Sequence, residues 1–92
     1  MPEKVLFDKV FKQLRKLPGH VVDKLMAWAM SVEMKGLLEV RKIPGYHDEP
    51  LKGRRQGERS IRLSKAYRAI YTEENNGTVK LIIVEEVHKH DY

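Results

Sequence analysis

The sequence holds a carboxylate beside a strongly basic segment, in Glu49-Pro50-Leu51-Lys52-Gly53. A carboxylate beside a cluster of cations is a candidate general base, because the cations keep it ionised, although they also make it a weaker base. Composition alone favours a plainer interpretation, in which Asp48 and Glu49 are loop carboxylates in solvated ion pairs. Both interpretations stay open at this point.

Two arginines, Arg62 and Arg68, form a second candidate group. Ile61 and Leu63 alternate with Ser60 and Arg62, which predicts a strand whose arginine points away from the core. Arg68 falls on the strand that is expected to pair with it. Two planar guanidinium groups could then meet at one phosphate and stabilise the charge of its transition state. A solvated basic sheet face is an equally good alternative.

The third group is His88-Lys89-His90-Asp91-Tyr92. In an extended chain His88, His90 and Tyr92 share one side. His90 is a candidate general acid, because imidazole titrates near neutral pH, and Tyr92 could stack on a base or donate its hydroxyl. The His-x-His spacing also fits a metal site, although no third ligand is evident, and a tail without function is a further alternative.

Positive charge is concentrated between residues 52 and 68. The net charge is +5, and Glu58 is the one carboxylate among the cations of this segment, which are Lys52, Arg54, Arg55, Arg59, Arg62, Lys65 and Arg68. Such a local field is suited to phosphates, so a nucleic acid is the expected kind of partner.

The composition bounds the class of protein. The 92 residues have room for one domain, residues 1–92. The chain has no cysteine, which excludes disulfides, thiolate metal sites and a cysteine nucleophile. No membrane span, signal peptide, glycine-rich phosphate loop or zinc knuckle is evident, so we expect a cytoplasmic protein without metal or cofactor.

The first half of the chain predicts one strand and two helices. A short apolar run predicts a strand at residues 5–7, and Asp8 is the expected N-cap of a helix that Pro18-Gly19 ends. A longer helix is predicted over residues 20–35, with Gly36 as its C-cap. It carries two apolar stripes, which are Val21, Leu25, Trp28, Val32 and Val22, Met26, Met30, Met34. Both stripes are expected to be core, and a partner surface is the alternative for the second.

The second half of the chain predicts an antiparallel meander. Residues 44–50 form a loop, after which the apolar period changes to two and predicts a strand around Ile61. Residues 64–66 then connect to a strand at 67–72, and Asn75-Asn76-Gly77 is a hairpin signal. The last strand, residues 79–87, is apolar on both faces and should be interior. We therefore predict an α+β fold with helices on one face of a largely antiparallel sheet.

Several of these segments resemble the RelE/ParE toxin superfamily, and most closely its YoeB/RelE/HigB-type branch of ribosome-dependent mRNA endoribonucleases. The matching segments are Glu49-Pro50-Leu51-Lys52-Gly53, Gly57, Ser60-Ile61-Arg62-Leu63, Tyr67-Arg68-Ala69-Ile70-Tyr71 and His90-Asp91-Tyr92. The resemblance implies a RelE-like fold, the toxin of a type II toxin–antitoxin system, and a cognate antitoxin as partner. It also implies metal-independent cleavage of mRNA in the ribosomal A site, leaving a 2′,3′-cyclic phosphate.

The resemblance also implies roles for individual residues. Glu49 would be the general base, Arg62 and Arg68 the phosphate and transition-state cations, His90 the general acid and Tyr92 the terminal aromatic group. The candidate RNA and ribosome contacts are Lys52, Arg54, Arg55, Arg59, Lys65 and His88.

Two other functions stay open. A ParE-like toxin shares the fold and poisons DNA gyrase without cutting RNA, and a third possibility is an RNA-binding module without catalytic activity. The joint presence of Glu49, Arg62, Arg68, His90 and Tyr92 favours the nuclease.

Overall fold

A computed structural model describes residues 2–89 of the chain, and the predicted site residues His90 and Tyr92 lie outside this range. We label its strands and α-helices in chain order. They are β1 (Glu3–Leu6), α1 (Phe11–Leu14), α2 (Gly19–Lys35), α3 (Leu37–Val40), β2 (Glu49–Pro50), β3 (Arg59–Arg62), β4 (Tyr67–Asn75) and β5 (Lys80–Lys89). Single 3-10 turns lie at Asp8–Val10, Pro44–Tyr46 and Gly53–Arg55.

The strands form one five-stranded sheet in the order β1-β5-β4-β3-β2. β1 runs parallel to β5, and the other neighbouring pairs are antiparallel. The predicted α+β fold with an N-terminal strand and an antiparallel meander is thereby confirmed, as is the interior position of β5. The sequence did not predict β2, because a two-residue strand has no periodicity and exists only through its pairing with β3.

Side chains of the turns close the meander. The Ser64 hydroxyl accepts hydrogen bonds from the backbone N–H groups of Ala66 and Tyr67, which shapes the short β3–β4 connection. In the β4–β5 hairpin, the Asn76 side chain accepts a bond of 2.8 Å from the N–H of Val79, and Gly77 adopts a φ of 93°. Asn side chains and a glycine at positive φ suit this kind of tight reversal, so the predicted hairpin is present.

Helix α2 covers one face of the sheet. Its first apolar stripe is fully buried, and the Trp28 ring contacts the ring of Tyr71 at a centroid distance of 5.2 Å. The expectation that the second stripe is also core was wrong at its C-terminal end, where Met30 is 64% and Met34 76% exposed. One helix layer on the sheet buries a single helix face, so nothing within residues 2–89 covers these methionines.

The helical segments next to α2 are shorter than the sequence suggests. The helix predicted from Asp8 is a 3-10 turn followed by α1, and Phe7 rather than Asp8 occupies the position before it. The Gln13 side chain both donates to the Val87 carbonyl and accepts from the Val87 N–H, so this segment is held by β5 rather than by a long helix. Among the described residues, no helix has the length and apolar character needed to cross a bilayer.

Candidate active site

The sheet face opposite α2 carries two rows of side chains that run across the strands. In one row Glu49 pairs with Ser60, Ser60 with Ile70, and Ile70 with Glu86. In the next row Arg62 pairs with Arg68, and Arg68 with His88. Residues two apart on a strand face the same way and lie about 6–7 Å apart, so the two rows belong to one surface. We call this surface the open face.

An open depression of about 420 Å³ lies on this face. Its lining residues are Glu49, Leu51, Arg55, Ser60, Arg68, Ile70 and His88. A candidate base, a candidate phosphate-binding arginine and an imidazole therefore line one depression. The volume falls within the range of about 300–1,000 Å³ that is typical of small-molecule sites, which is enough for a nucleotide unit.

Arg68 and Ser60 each bring an unsatisfied polar atom to this depression. Arg68 Nη1 and Ser60 Oγ are buried and have no hydrogen-bond partner within residues 2–89. Leaving such a group unpaired costs about 1–3 kcal/mol, and more for a charged group. Within residues 2–89 no carboxylate forms an ion pair with Arg68 or with Arg62, which lies directly opposite it. An anion bound by the Arg68 guanidinium would remove the cost at Nη1.

Arg55 closes one rim of the depression. Its guanidinium donates to Glu58 at 2.6 Å and to Glu86 on β5 at 3.0 Å, and the bonds to these two carboxylates raise the pKa of Arg55. The bond to Glu86 connects the loop of residues 51–58 to β5, three strands away from β2 in the sheet. Arg55 was predicted as an RNA contact, and it would have to exchange one of these partners to bind a phosphate.

The neighbouring carboxylates Asp48 and Glu49 have opposite environments. The Asp48 side chain is 1% exposed and accepts bonds of 2.6 Å from both Arg59 Nε and the Tyr71 hydroxyl. Glu49 is exposed and forms no ion pair with any residue from 2 to 89. The interpretation of both as solvated loop carboxylates was therefore wrong for Asp48. Asp48 and Glu49 are consecutive residues of an extended segment, so their side chains face opposite sides of the sheet. The Asp48 side chain lies on the α2 side, and the Glu49 side chain lines the depression.

Arg59 departs from the expected arrangement of RNA contacts. It alternates with Ser60 and so lies on the α2 side of β3, where Asp48 holds it and its side chain is 25% exposed. This position is physically unsuited to a nucleic acid on the open face. Lys52, Arg54 and Lys65, by contrast, are exposed and have no carboxylate partner in the described part of the chain.

Reasoning from the sequence missed Glu86 and Tyr71 as contributors to the site. Glu86 pairs with Arg55, and Tyr71 anchors Asp48; burial and the bond to Asp48 raise the pKa of Tyr71, against the opposing effect of Arg41. Recognising β2 as a strand would have revealed the opposite orientations of Asp48 and Glu49. Nothing in the local sequence indicates the partners of Asp48.

Other parts of the described chain offer less chemistry. Residues 2–89 contain no group of three His, Cys, Asp or Glu side chains that could hold a metal ion. A second depression, of about 500 Å³, lies along β1 and is lined by Val5, Leu6, Phe7, Asp8 and Phe11. Asp8 is the one titratable side chain in this second lining. A third depression, of about 270 Å³, contains Glu3 and Glu33, but their carboxylates accept hydrogen bonds from the backbone N–H groups of Leu37 and Val5. The depression beside Glu49 is therefore the candidate active site.

Solved structures of bacterial toxins share this architecture. The chain superposes on a YoeB/ParE toxin from Agrobacterium tumefaciens with a TM-score of 0.65 and 18% identity, covering 99% of this chain and 100% of that one. It matches the RelBE2 toxin–antitoxin complex from Mycobacterium tuberculosis with a TM-score of 0.65 and 19% identity, over 99% of this chain and 100% of that one. It matches the YoeB–YefM complex from Staphylococcus aureus with a TM-score of 0.64 and 21% identity, over 100% of this chain and 98% of that one.

These likenesses define the fold. The chain has the RelE/ParE toxin fold over its whole length, as the sequence resemblance predicted. No protein-family model matches the chain, and no curated protein matches it significantly in sequence.

Proposed function

We propose that this protein is the toxin of a type II toxin–antitoxin system and a ribosome-dependent mRNA endoribonuclease. The observation that carries the proposal is the convergence of Glu49, Arg68 and His88 on one depression, where the buried Arg68 Nη1 has no partner in the described part of the chain. A cation without a partner beside an accessible carboxylate suits a phosphodiester whose neighbouring hydroxyl must lose a proton. The RelE/ParE fold supports the same function, since structures with this fold include toxins.

The proposed reaction needs no metal. Glu49 accepts the proton of a ribose 2′-hydroxyl, and the 2′-oxygen attacks the adjacent phosphorus. Arg62 and Arg68 bind the non-bridging oxygens and stabilise the additional negative charge of the transition state. His90 gives its proton to the 5′-oxygen as the bond from phosphorus to that oxygen breaks. The products are a 2′,3′-cyclic phosphate and a free 5′-hydroxyl, and Tyr92 stacks on a base next to the cleaved bond.

The distances across the sheet suit this assignment. Neighbouring strands are about 4.8 Å apart, so the backbones of β2 and β5 are separated by roughly 14 Å. The side chains of Glu49 and His88 line the same depression from these two strands. Groups reaching in from both sides would bracket one ribose–phosphate unit, with Arg68 between them.

The proposed partners are the ribosome with its mRNA and a cognate antitoxin. Lys52, Arg54 and Lys65 are exposed cations that would contact ribosomal RNA phosphates, and such contacts bind without reading sequence. Two structures with the same fold are toxin–antitoxin complexes, which supports an antitoxin partner for this chain as well. We place the activity in the cytoplasm, where the ribosomes are.

Mapping of mRNA ends tests this function. Primer extension after brief induction should show breaks within translated codons for the parental chain, and none for Glu49→Gln. Glu39→Gln is the matched control, because Glu39 is an exposed carboxylate on α3 whose partner is Lys42. Growth arrest without RNA breaks, together with inhibition of DNA gyrase, would overturn the proposal in favour of a ParE-like toxin.

A further inference from the structure

Glu49 lies on the least secured strand of the sheet. β2 has two residues and pairs only with β3, and Pro50 has no N–H to contribute to that pairing. The next hydrogen bond along the chain joins the Leu51 N–H to the Glu58 carbonyl at 2.9 Å. Before β2, His47 has a left-handed φ of 50°, where the chain turns toward the sheet. Backbone pairing by itself is a weak constraint on where Glu49 points.

The residue before Glu49 supplies a much stronger constraint. Asp48 is buried and holds Arg59 on β3 and the Tyr71 hydroxyl on β4, each at 2.6 Å. Tyr71 is itself completely buried, and its ring packs against Trp28 of α2. Asp48 is thereby attached to the part of the molecule that is least able to move.

The attachment continues beyond Tyr71. Arg41, at the end of α3, donates from Nε to the Tyr71 hydroxyl at 3.2 Å and also pairs with Glu73 on β4. Lys80 on β5 pairs with the same Glu73 at 2.7 Å. The Tyr71 hydroxyl therefore has both an acceptor and a donor fixed by separate elements, which leaves it one orientation.

We propose that Asp48 is a positioning residue that, through Arg59 and Tyr71, holds Glu49 in the active site; this inference rests on the proposed function. The two residues are consecutive in an extended segment, so fixing the side chain of Asp48 on one side of the sheet fixes the direction of Glu49 on the other. A displacement of about 1 Å in a catalytic group can cost roughly 100-fold in rate.

Tyr71→Phe is the most selective test, because it removes the hydroxyl and keeps the ring in the core. We expect single-turnover cleavage on saturating ribosomes to fall about 10- to 100-fold, with an unchanged half-saturating ribosome concentration. Thr72→Val is the matched control: it also removes a β4 hydroxyl bonded to a carboxylate, that of Glu85 at 2.7 Å, and it should change the rate less than about twofold.

A double-mutant cycle separates positioning from general stability. If Asp48 and Tyr71 act through Glu49, Tyr71→Phe should cause no further loss in a Glu49→Gln background. Measurements are made at a temperature at which circular dichroism shows every variant folded. An equal fold-loss in the parental and Glu49→Gln backgrounds would overturn the positioning role.

Hydrogen exchange provides a readout that does not depend on catalysis. In Tyr71→Phe the Leu51 amide, which bonds to Glu58, should exchange about 10-fold faster or more, while β4–β5 amides keep their protection. Unchanged protection at Leu51 would overturn the inference even if mRNA is cleaved. A parental protein that cuts no RNA would refute the proposed function instead. The exchange rate of the Leu51 amide would still decide whether the bonds of Asp48 to Arg59 and Tyr71 hold this segment in place.

Discussion

The two faces of the sheet differ in whether their buried charged side chains have hydrogen-bond partners. On the α2 side, Asp48 is buried with both of its oxygens bonded, and Arg59 and Tyr71 are its partners. On the open face, Arg68 Nη1 and Ser60 Oγ are buried and have no hydrogen-bond partner among the described residues. The same strands, β3 and β4, supply both arrangements, so the difference follows from which way each residue faces.

The difference concerns charged side chains: Trp28 Nε1 on the α2 side is also buried without a partner among residues 2–89, but it is uncharged. A buried charge that is fully paired can hold elements together, whereas a buried unpaired donor only costs free energy unless a ligand completes it. The helix-facing group therefore belongs to the scaffold, and under the proposed function the open-face group is the one that would bind a phosphate. Glu49 belongs to the open face but depends on the scaffold through its neighbour Asp48.

The largest expected effects come from removing one charged side chain from each face, Arg68 from the open face and Asp48 from the α2 side. Arg68→Ala should lower single-turnover cleavage by about 10²–10³-fold and leave the free energy of unfolding in urea equal or higher, because it removes an unsatisfied donor. Asp48→Ala should lower that free energy by about 2–3 kcal/mol, because it leaves Arg59 and Tyr71 unpaired. A large loss of stability in Arg68→Ala would contradict the division between the faces.

The next effect tests the two candidate general acids, His88 and His90. We expect His90→Gln to lower single-turnover cleavage by roughly 100-fold or more without changing ribosome affinity, because glutamine cannot protonate the leaving oxygen. Replacing the 5′-oxygen of the substrate by sulfur should shrink this loss, and Arg68→Ala should show no such rescue. His88→Gln is the comparison: if it alone shows the sulfur rescue, His88 rather than His90 is the acid.

A smaller effect compares Arg54, an exposed arginine of the 3-10 turn Gly53–Arg55, with Arg59 on the α2 side of the sheet. Arg54→Gln should weaken ribosome binding and reduce the slope of log affinity against log salt by about 0.7–0.9, which is the loss of one phosphate contact. Arg59→Gln should leave that slope unchanged, because its side chain is committed to Asp48 on the α2 side. Binding titrations at several salt concentrations measure both slopes, and equal slopes for the two variants would refute the distinction.

The smallest effect is a pH dependence of stability. Although burial by itself would raise the pKa of Glu73, its bonds with Lys80 and Arg41 hold the pKa below the ordinary 4.5. The contribution of the ionised Glu73 to the free energy of unfolding is therefore complete above pH 4.5. It is lost as the pH falls through the lowered pKa of Glu73 in the folded state. Urea unfolding at pH 6 and pH 3 should show that Glu73→Gln loses less stability on acidification than the parental chain does, by under about 1 kcal/mol.

Periodicity and turn chemistry in the sequence were enough for most of the scaffold. The stripe from Val21 to Val32, the Asn76-Gly77 turn and the alternation around Ile61 each depend on neighbours within a few residues, and each lies where it was predicted. The same alternation put Arg62 and Arg68 on one face, and the register confirms that they are opposite each other. The exposure of Met34 was not predictable in this way, because an apolar stripe does not say how many layers will cover it.

The division of labour between Asp48 and Glu49 was decided by the tertiary structure alone. Both are acidic residues of a loop with no periodicity, and β2 exists only because β3 is there to pair with it. The partners of Asp48 lie 11 and 23 residues further along the chain, and Arg55 reaches Glu86 across 31 residues. Sequence patterns report contacts between near neighbours, whereas these bonds form only after the sheet has brought distant strands together.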